Sequence, residues 1–127
     1  MKAKEIMEKD FPLVDSSISI DEAIKKLDGK HEGCIVLKNG CLHTVLGYRD
    51  LIEGWLHRKR HKESIEKLGI QNNFRVVWPN TGTSKILQLM RDTDFLVVRD
   101  NKKIIGLITK RDITNTPALL ESYFKKF

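Results

Sequence analysis

The chain has 127 residues, 40% of them hydrophobic and 31% charged, with a formal net charge of +6, a length that suits one compact module and a mix that excludes a disordered chain. Its longest apolar runs, such as residues 34–37 and 95–98, are strand-length, far below the roughly 20 residues that a membrane-spanning helix requires. The amino terminus leads into no signal-peptide apolar stretch, so the expectation is a cytoplasmic protein whose two cysteines, Cys34 and Cys41, are reduced thiols.

In chain order, a short β segment at Leu13-Val14 passes through a polar turn into an amphipathic helix. Ser19 or Asp21 is its expected N-cap, and Ala23, Ile24 and Leu27 form its buried face. An apolar strand over Cys34-Ile35-Val36 follows, then a turn at Lys38-Asn39-Gly40 and a second strand through Val45-Leu46. After Asp50 comes a helix with Leu51, Ile52, Trp55 and Leu56 on one side, expected to stop at Gly69. The same series then recurs. A β segment at Val76-Val77 leads to a helix capped by Thr83 or Ser84, with Ile86, Leu87, Leu89 and Met90 as its apolar side. The strand Leu96-Val97-Val98, a turn at Asp100-Asn101-Lys102 and a strand through Leu107-Ile108 come next. Pro117 interrupts the closing helix, and Thr116-Pro117 is a helix start, so a last helix runs from about Ala118.

A shift of 62 positions lays residues 23–51 over 85–113 without a gap. Ile24 then falls on Ile86, Leu27 on Leu89, Asn39 on Asn101, Arg49 on Arg111 and Asp50 on Asp112, while the β segments ahead of them match with a shift of 63. Each copy is a β-α-β-β-α unit with one three-stranded sheet and helices on one face, which leaves a half-built core. The fold class is therefore α/β (α+β), two such repeats packed sheet to sheet with pseudo-twofold symmetry. The expected boundaries are 1–60 for the first repeat, 61–73 for the helix end and linker, and 74–127 for the second, within one module spanning 1–127.

These features resemble the CBS domain family, whose tandem pair is called a Bateman module. The opening Lys4-Glu5-Ile6-Met7 and Phe11-Pro12-Leu13-Val14 look like its first segment, and Leu96-Val97-Val98-Arg99-Asp100 like its second strand, with Leu96 where proline is common. Most specific is Gly106-Leu107-Ile108-Thr109-Lys110-Arg111-Asp112, similar to the family's glycine, two apolar residues, hydroxyl residue, two variable residues and aspartate. In that family the hydroxyl serves a phosphate and the aspartate accepts from two ribose hydroxyls, with adenine between the repeats. Carried over, the resemblance implies a regulatory, non-catalytic module. It would need no cofactor and would bind AMP, ADP, ATP, S-adenosylmethionine or a similar adenosine ligand through Thr109, Lys110, Arg111 and Asp112. Leu13, Val14, His31 and Glu32 would face that corner. A weaker second corner would hold Asp50 and Tyr48, faced by Val76, Val77 and Thr93, with Asp94 beside them. It is the weaker one because Thr44 stands where the family has glycine and Gly47 where it has the hydroxyl. A homodimer and a regulated partner protein are implied as well.

A second reading keeps the fold without a nucleotide, as a protein-interaction or nucleic-acid-binding module built on the basic run His57-Arg58-Lys59-Arg60-His61-Lys62. No aromatic residue interleaves those charges as in single-strand binders. His31, Cys34, Cys41 and His43 match no common zinc spacing, and no nucleophile or phosphate-loop motif indicates catalysis.

Overall fold

Alternation sets the first strand: in β1 (Leu13–Asp15) Val14 turns inward while Leu13 and Asp15 face out. Helix α2 (Ile20–Leu27) is capped by Ser19, whose hydroxyl accepts from the Glu22 N–H at 3.2 Å. It buries Ile20, Ala23 and Leu27, and it stops where Asp28 and Gly29 enter left-handed backbone (φ 51 and 64). Strands β2 (Gly33–Lys38) and β3 (Cys41–Gly47) form a hairpin through Asn39-Gly40, both with positive φ (53 and 77). Such a two-residue turn demands positive φ at both positions. β2 lies parallel to β1 and antiparallel to β3. Helix α3 (Tyr48–Arg58) follows without a gap.

The structure is a computed structural model that describes residues 1–58, 63–68 and 73–124. Gly69, residues 59–62 of the basic run and the side chains of Trp55, His57 and Arg58 lie outside the described residues. The helix after Asp50 does not continue to Gly69: Glu63 and Ser64 have left helical geometry, Ser64 bridges to Ser19, and residues 65–68 form a separate 3-10 turn. Nor do its apolar residues share one buried side, since Leu51 is buried but Ile52 and Leu56 are 49% and 57% exposed.

The second repeat has β4 (Phe74–Val77), α4 (Thr83–Met90), β5 (Phe95–Asp100) and β6 (Lys103–Thr109), again parallel then antiparallel. Both hairpins carry a register irregularity at equivalent places, Val36/Leu37 and Val98/Arg99. Short helices α5 (Lys110–Thr114) and α6 (Pro117–Phe124) close it. Two details differ from expectation. The α4 N-cap is Gly82, with no side-chain cap, rather than Thr83 or Ser84. The helices superimpose with a shift of 63, because Ala23 and Leu27 correspond in burial to Ile86 and Met90. The one-residue slip is therefore absorbed after the helices, where residues 28–32 correspond to 91–94.

The chain divides into two units, Phe11–Asn72 and Met1–Asp10 with Asn73–Phe127. In the latter, α1 (Ala3–Ile6) docks through backbone bonds, Ala3 N–H to the Thr81 carbonyl at 2.9 Å and Lys4 N–H to the Pro79 carbonyl at 3.0 Å. In the former, Ile65 N–H donates to the Ile18 carbonyl at 2.9 Å and Glu66 N–H to the Ser16 carbonyl at 3.2 Å. These bonds are equivalent under the repeat, so the segment preceding each repeat packs on the other one. Ala3 and Ile65 are buried in the respective cores.

Gly106 marks the closest approach of the amino-terminal segment, because a Cβ there would lie 2.6 Å from Met7 Cγ and 2.8 Å from Met7 Cβ. Leu107 and Glu8 exchange both backbone hydrogen bonds, at 2.8 and 3.1 Å, which pins Met7 over the glycine. Gly106→Ala is therefore expected to cost about 1–3 kcal/mol by overpacking in urea unfolding, with partial recovery in the Met7→Ala background; an equal cost in both backgrounds would refute the contact. The thiols give a second expectation. Cys34 is fully buried and burial pushes its pKa up to about 12, Lys26 opposing slightly, whereas Cys41 is exposed. At pH 8 a thiol reagent should titrate one cysteine of the folded protein quickly and the second only on denaturation. Two fast thiols would contradict the burial of Cys34.

Candidate functional site

The most specific motif in the sequence becomes the junction of β6 and α5. Thr109 is the last residue of the strand and the N-cap of the helix. Its N–H donates to Asp112 Oδ2 at 2.8 Å and its hydroxyl donates to the same oxygen at 3.0 Å. The Asp112 N–H returns a longer bond to Thr109 Oγ1 at 3.4 Å. This is a reciprocal capping box, and it holds the half-buried Asp112 carboxylate in one orientation beside the strand end. Thr109 itself is buried, because its side chain turns back onto the helix start. Thr116 ties the far end of the turn, its hydroxyl donating to the Asp112 carbonyl at 2.7 Å.

The two cations of the motif each have an acidic neighbour. Lys110 Nζ stands 3.6 Å from Asp94 Oδ1, and an Arg111 guanidinium nitrogen stands 3.6 Å from Glu8 Oε1. The first pair is largely exposed. The second is better shielded, with Arg111 and Glu8 side chains 38% and 21% exposed. Asp94 therefore lies at the corner of its own repeat, brought there because β5 starts beside the end of β6. Glu8 was not among the residues the sequence singled out. It reaches the corner only through the backbone bridge to Leu107, and such a pairing leaves no side-chain pattern to read.

The first repeat builds a simpler corner. Asp50 Oδ2 accepts from the Gly47 N–H at 3.1 Å, so the aspartate again caps a strand end, but Gly47 has no hydroxyl to add. Tyr48 points elsewhere, its phenol oxygen accepting from the Gly29 N–H at 2.8 Å. Thr44, in the place of Gly106, is buried, and its hydroxyl has no hydrogen-bond partner among the described residues.

The remaining candidates divide by exposure. Leu13 and Val76 are 48% and 36% exposed and present apolar side chains outward from β1 and β4, while Val14 and Val77 belong to the two cores. Thr93 is buried, and its hydroxyl donates to the Leu89 carbonyl at 2.8 Å, finishing α4. His31 is half-buried ahead of β2, with Nδ1 unpartnered among the described residues, and Glu32 beside it is exposed. Among the described residues no three His, Cys, Asp or Glu side chains group as a metal set, and no helix is long and apolar enough to cross a membrane.

Comparison with known proteins places this architecture. The CBS domain family model matches residues 3–56 and 65–118. The zinc metalloprotease MJ0392 of Methanocaldococcus jannaschii is 32% identical over 124 residues, 95% of this chain and 33% of its own length. The chain thus spans about one third of that curated relative. The CBS-domain containing protein ATU1752 from Agrobacterium tumefaciens superimposes with a TM-score of 0.76 at 20% identity, over 90% of this chain and 91% of its own. The CBS domain pair of protein MJ0100, in complex with 5′-methylthioadenosine and S-adenosyl-L-methionine, does so with a TM-score of 0.77 at 20% identity, over 93% and 96%.

The shared oxygen of Asp112 makes Thr109 and Asp112 one unit. Thr109→Ala or Asp112→Ala should each cost about 1 kcal/mol of stability, and the double variant clearly less than the sum. Strict additivity in chemical denaturation would show that the two residues stabilise the chain separately.

Proposed function

The chain belongs to the CBS domain family as a tandem pair, and we propose that it is a cytoplasmic regulatory module that binds an adenosine-containing ligand at the Thr109–Asp112 corner. The observation that carries this reading is the held carboxylate of Asp112. A carboxylate fixed beside a strand end suits the paired hydroxyls of a ribose, since bonds with a charged acceptor are roughly twice as strong as neutral ones and little orientation is lost on binding. The bound adenosine compounds of the MJ0100 pair support the same ligand class. The lesser corner at Asp50 lacks a hydroxyl, which supports Asp112 as the main site. Leu13, Val14, His31 and Glu32 are proposed contributors from the first repeat, Leu13 being the one with an exposed apolar side chain. Val76, Val77, Thr93, Tyr48 and Asp50 belong to the lesser corner. Of these, Val77 is buried, and the hydroxyls of Thr93 and Tyr48 are committed to Leu89 and Gly29.

Ligand occupancy would be read by a partner, in the same polypeptide or another. The match to one third of a metalloprotease supports a module that serves a separate effector. The module is also proposed to pair with a second copy through α3, where Ile52 and Leu56, one turn apart, expose apolar side chains. Ile52→Glu with Leu56→Glu should shift light scattering from dimer to monomer with an unchanged circular dichroism spectrum. A wild-type monomer at micromolar concentration would remove the dimer from this reading.

The ligand assignment is tested by thermal unfolding with adenosine, 5′-methylthioadenosine, S-adenosylmethionine, AMP, ADP and ATP. A ligand at about a hundredfold excess over its Kd adds ~2.7 kcal/mol. The expected outcome is a shift for at least one of these compounds that Asp112→Ala abolishes, Asp50→Ala preserves and Leu13→Ser or His31→Ala reduces. No shift with any compound would refute the adenosine reading in favour of an interaction module. A shift that survives Asp112→Ala would move the site elsewhere.

A further inference from the structure

We infer that Glu8 and Asp94 are specificity-determining residues that make the Asp112 corner select adenosine compounds lacking a phosphate, such as a 5′-thionucleoside or a sulfonium nucleoside, over AMP, ADP and ATP. This inference rests on the adenosine reading and says which members of that class are taken.

Three observations converge on it. The groups that would receive a phosphate are already engaged. Thr109 directs both its N–H and its hydroxyl to Asp112 Oδ2, and the Asp112 N–H turns back to Thr109 Oγ1. The helix behind them is only five residues long, so its aligned dipole is short and offers an anion little. The second observation is charge. Lys110 and Arg111 bring two positive charges to the corner, and Asp94, Glu8 and Asp112 bring three negative ones. Each cation of the motif is therefore already matched by a carboxylate, at 3.6 Å in both cases.

The third is placement. A phosphate can open the exposed Lys110–Asp94 pair at small cost, since exposed ion pairs contribute little. Opening a pair does not remove its carboxylate. The Glu8 main chain in particular is fixed to β6 by two hydrogen bonds with Leu107, so its carboxylate remains tethered within reach of Arg111. A dianionic phosphate would meet these carboxylates at short range, whereas a neutral thioether meets no penalty and a sulfonium cation is attracted. The discrimination comes from what opposes the wrong ligand rather than from new contacts to the right one.

Isothermal titration at fixed ionic strength with 5′-methylthioadenosine, S-adenosylmethionine and AMP reads this directly, on the wild type, Glu8→Gln, Asp94→Asn and the double variant. Circular dichroism and melting temperature serve as fold controls. The expected result is that the better of the two phosphate-free compounds binds the wild type at least about tenfold more tightly than AMP, and that the double variant narrows this ratio at least about threefold by improving AMP. Asp94 is exposed, so Asp94→Asn gives a readout even if Glu8→Gln loosens the amino-terminal segment. A wild-type ratio below tenfold, or a ratio unmoved by neutralising both acids, overturns the inference while leaving the adenosine reading intact. Binding of none of the three compounds removes the adenosine reading and this inference with it.

Discussion

A three-stranded sheet with helices on one face cannot close its own core, and here each repeat is completed by residues that precede the other. Ala3 and Ile65 occupy equivalent buried positions and are held by equivalent backbone hydrogen bonds, to Thr81 and Ile18. Backbone bonds of this kind are obligatory once the segment is buried, and they fix its register to the residue. The consequence is a demand on shape at one point. Met7 is pressed over β6, and only glycine fits at position 106.

The same docking decides the electrostatics of the candidate site. Once Met7 lies over Gly106, the next residue bridges Leu107, and the Glu8 carboxylate stands beside Arg111 on the helix that begins after β6. A segment distant in sequence thereby reaches the proposed ligand corner, and its acid pairs with a cation there. The corner is thus two devices in one. The capping box stabilises the α5 start and orients Asp112, and Asp94 and Glu8 pair with the two cations of the motif. The Glu8–Arg111 pair joins the amino-terminal segment to the α5 start.

Much of this was legible in the sequence where a side chain carries the signal. Asn39-Gly40 reads as a turn because positive φ is cheap for those residues, Ser19 reads as a cap, and Thr109 with Asp112 reads as a helix start that fits the family motif. The family and the two repeats followed from the same pattern. What escaped was carried by backbone or by equivalence of apolar residues. The helix register slipped by one because Ile24 and Leu27 lie over Ile86 and Leu89 as plausibly as Ala23 and Leu27 lie over Ile86 and Met90; only burial separates the two. Gly82 caps α4 without a side chain to announce it. Ile52 and Leu56 looked like core because hydrophobicity alone does not say which partner covers a residue. Thr93 looked available until its hydroxyl was found closing α4, and Glu8 had no local pattern at all.

The account stands on Asp112 receiving a ribose. The most direct measurement is a crystal structure of the protein grown with 5′-methylthioadenosine. The account predicts density for the nucleoside with both ribose hydroxyls within hydrogen-bond distance of the Asp112 carboxylate, and the Glu8–Arg111 pair intact beside it. Density for the nucleoside bound away from Asp112, with the Thr109–Asp112 corner unoccupied, would contradict it.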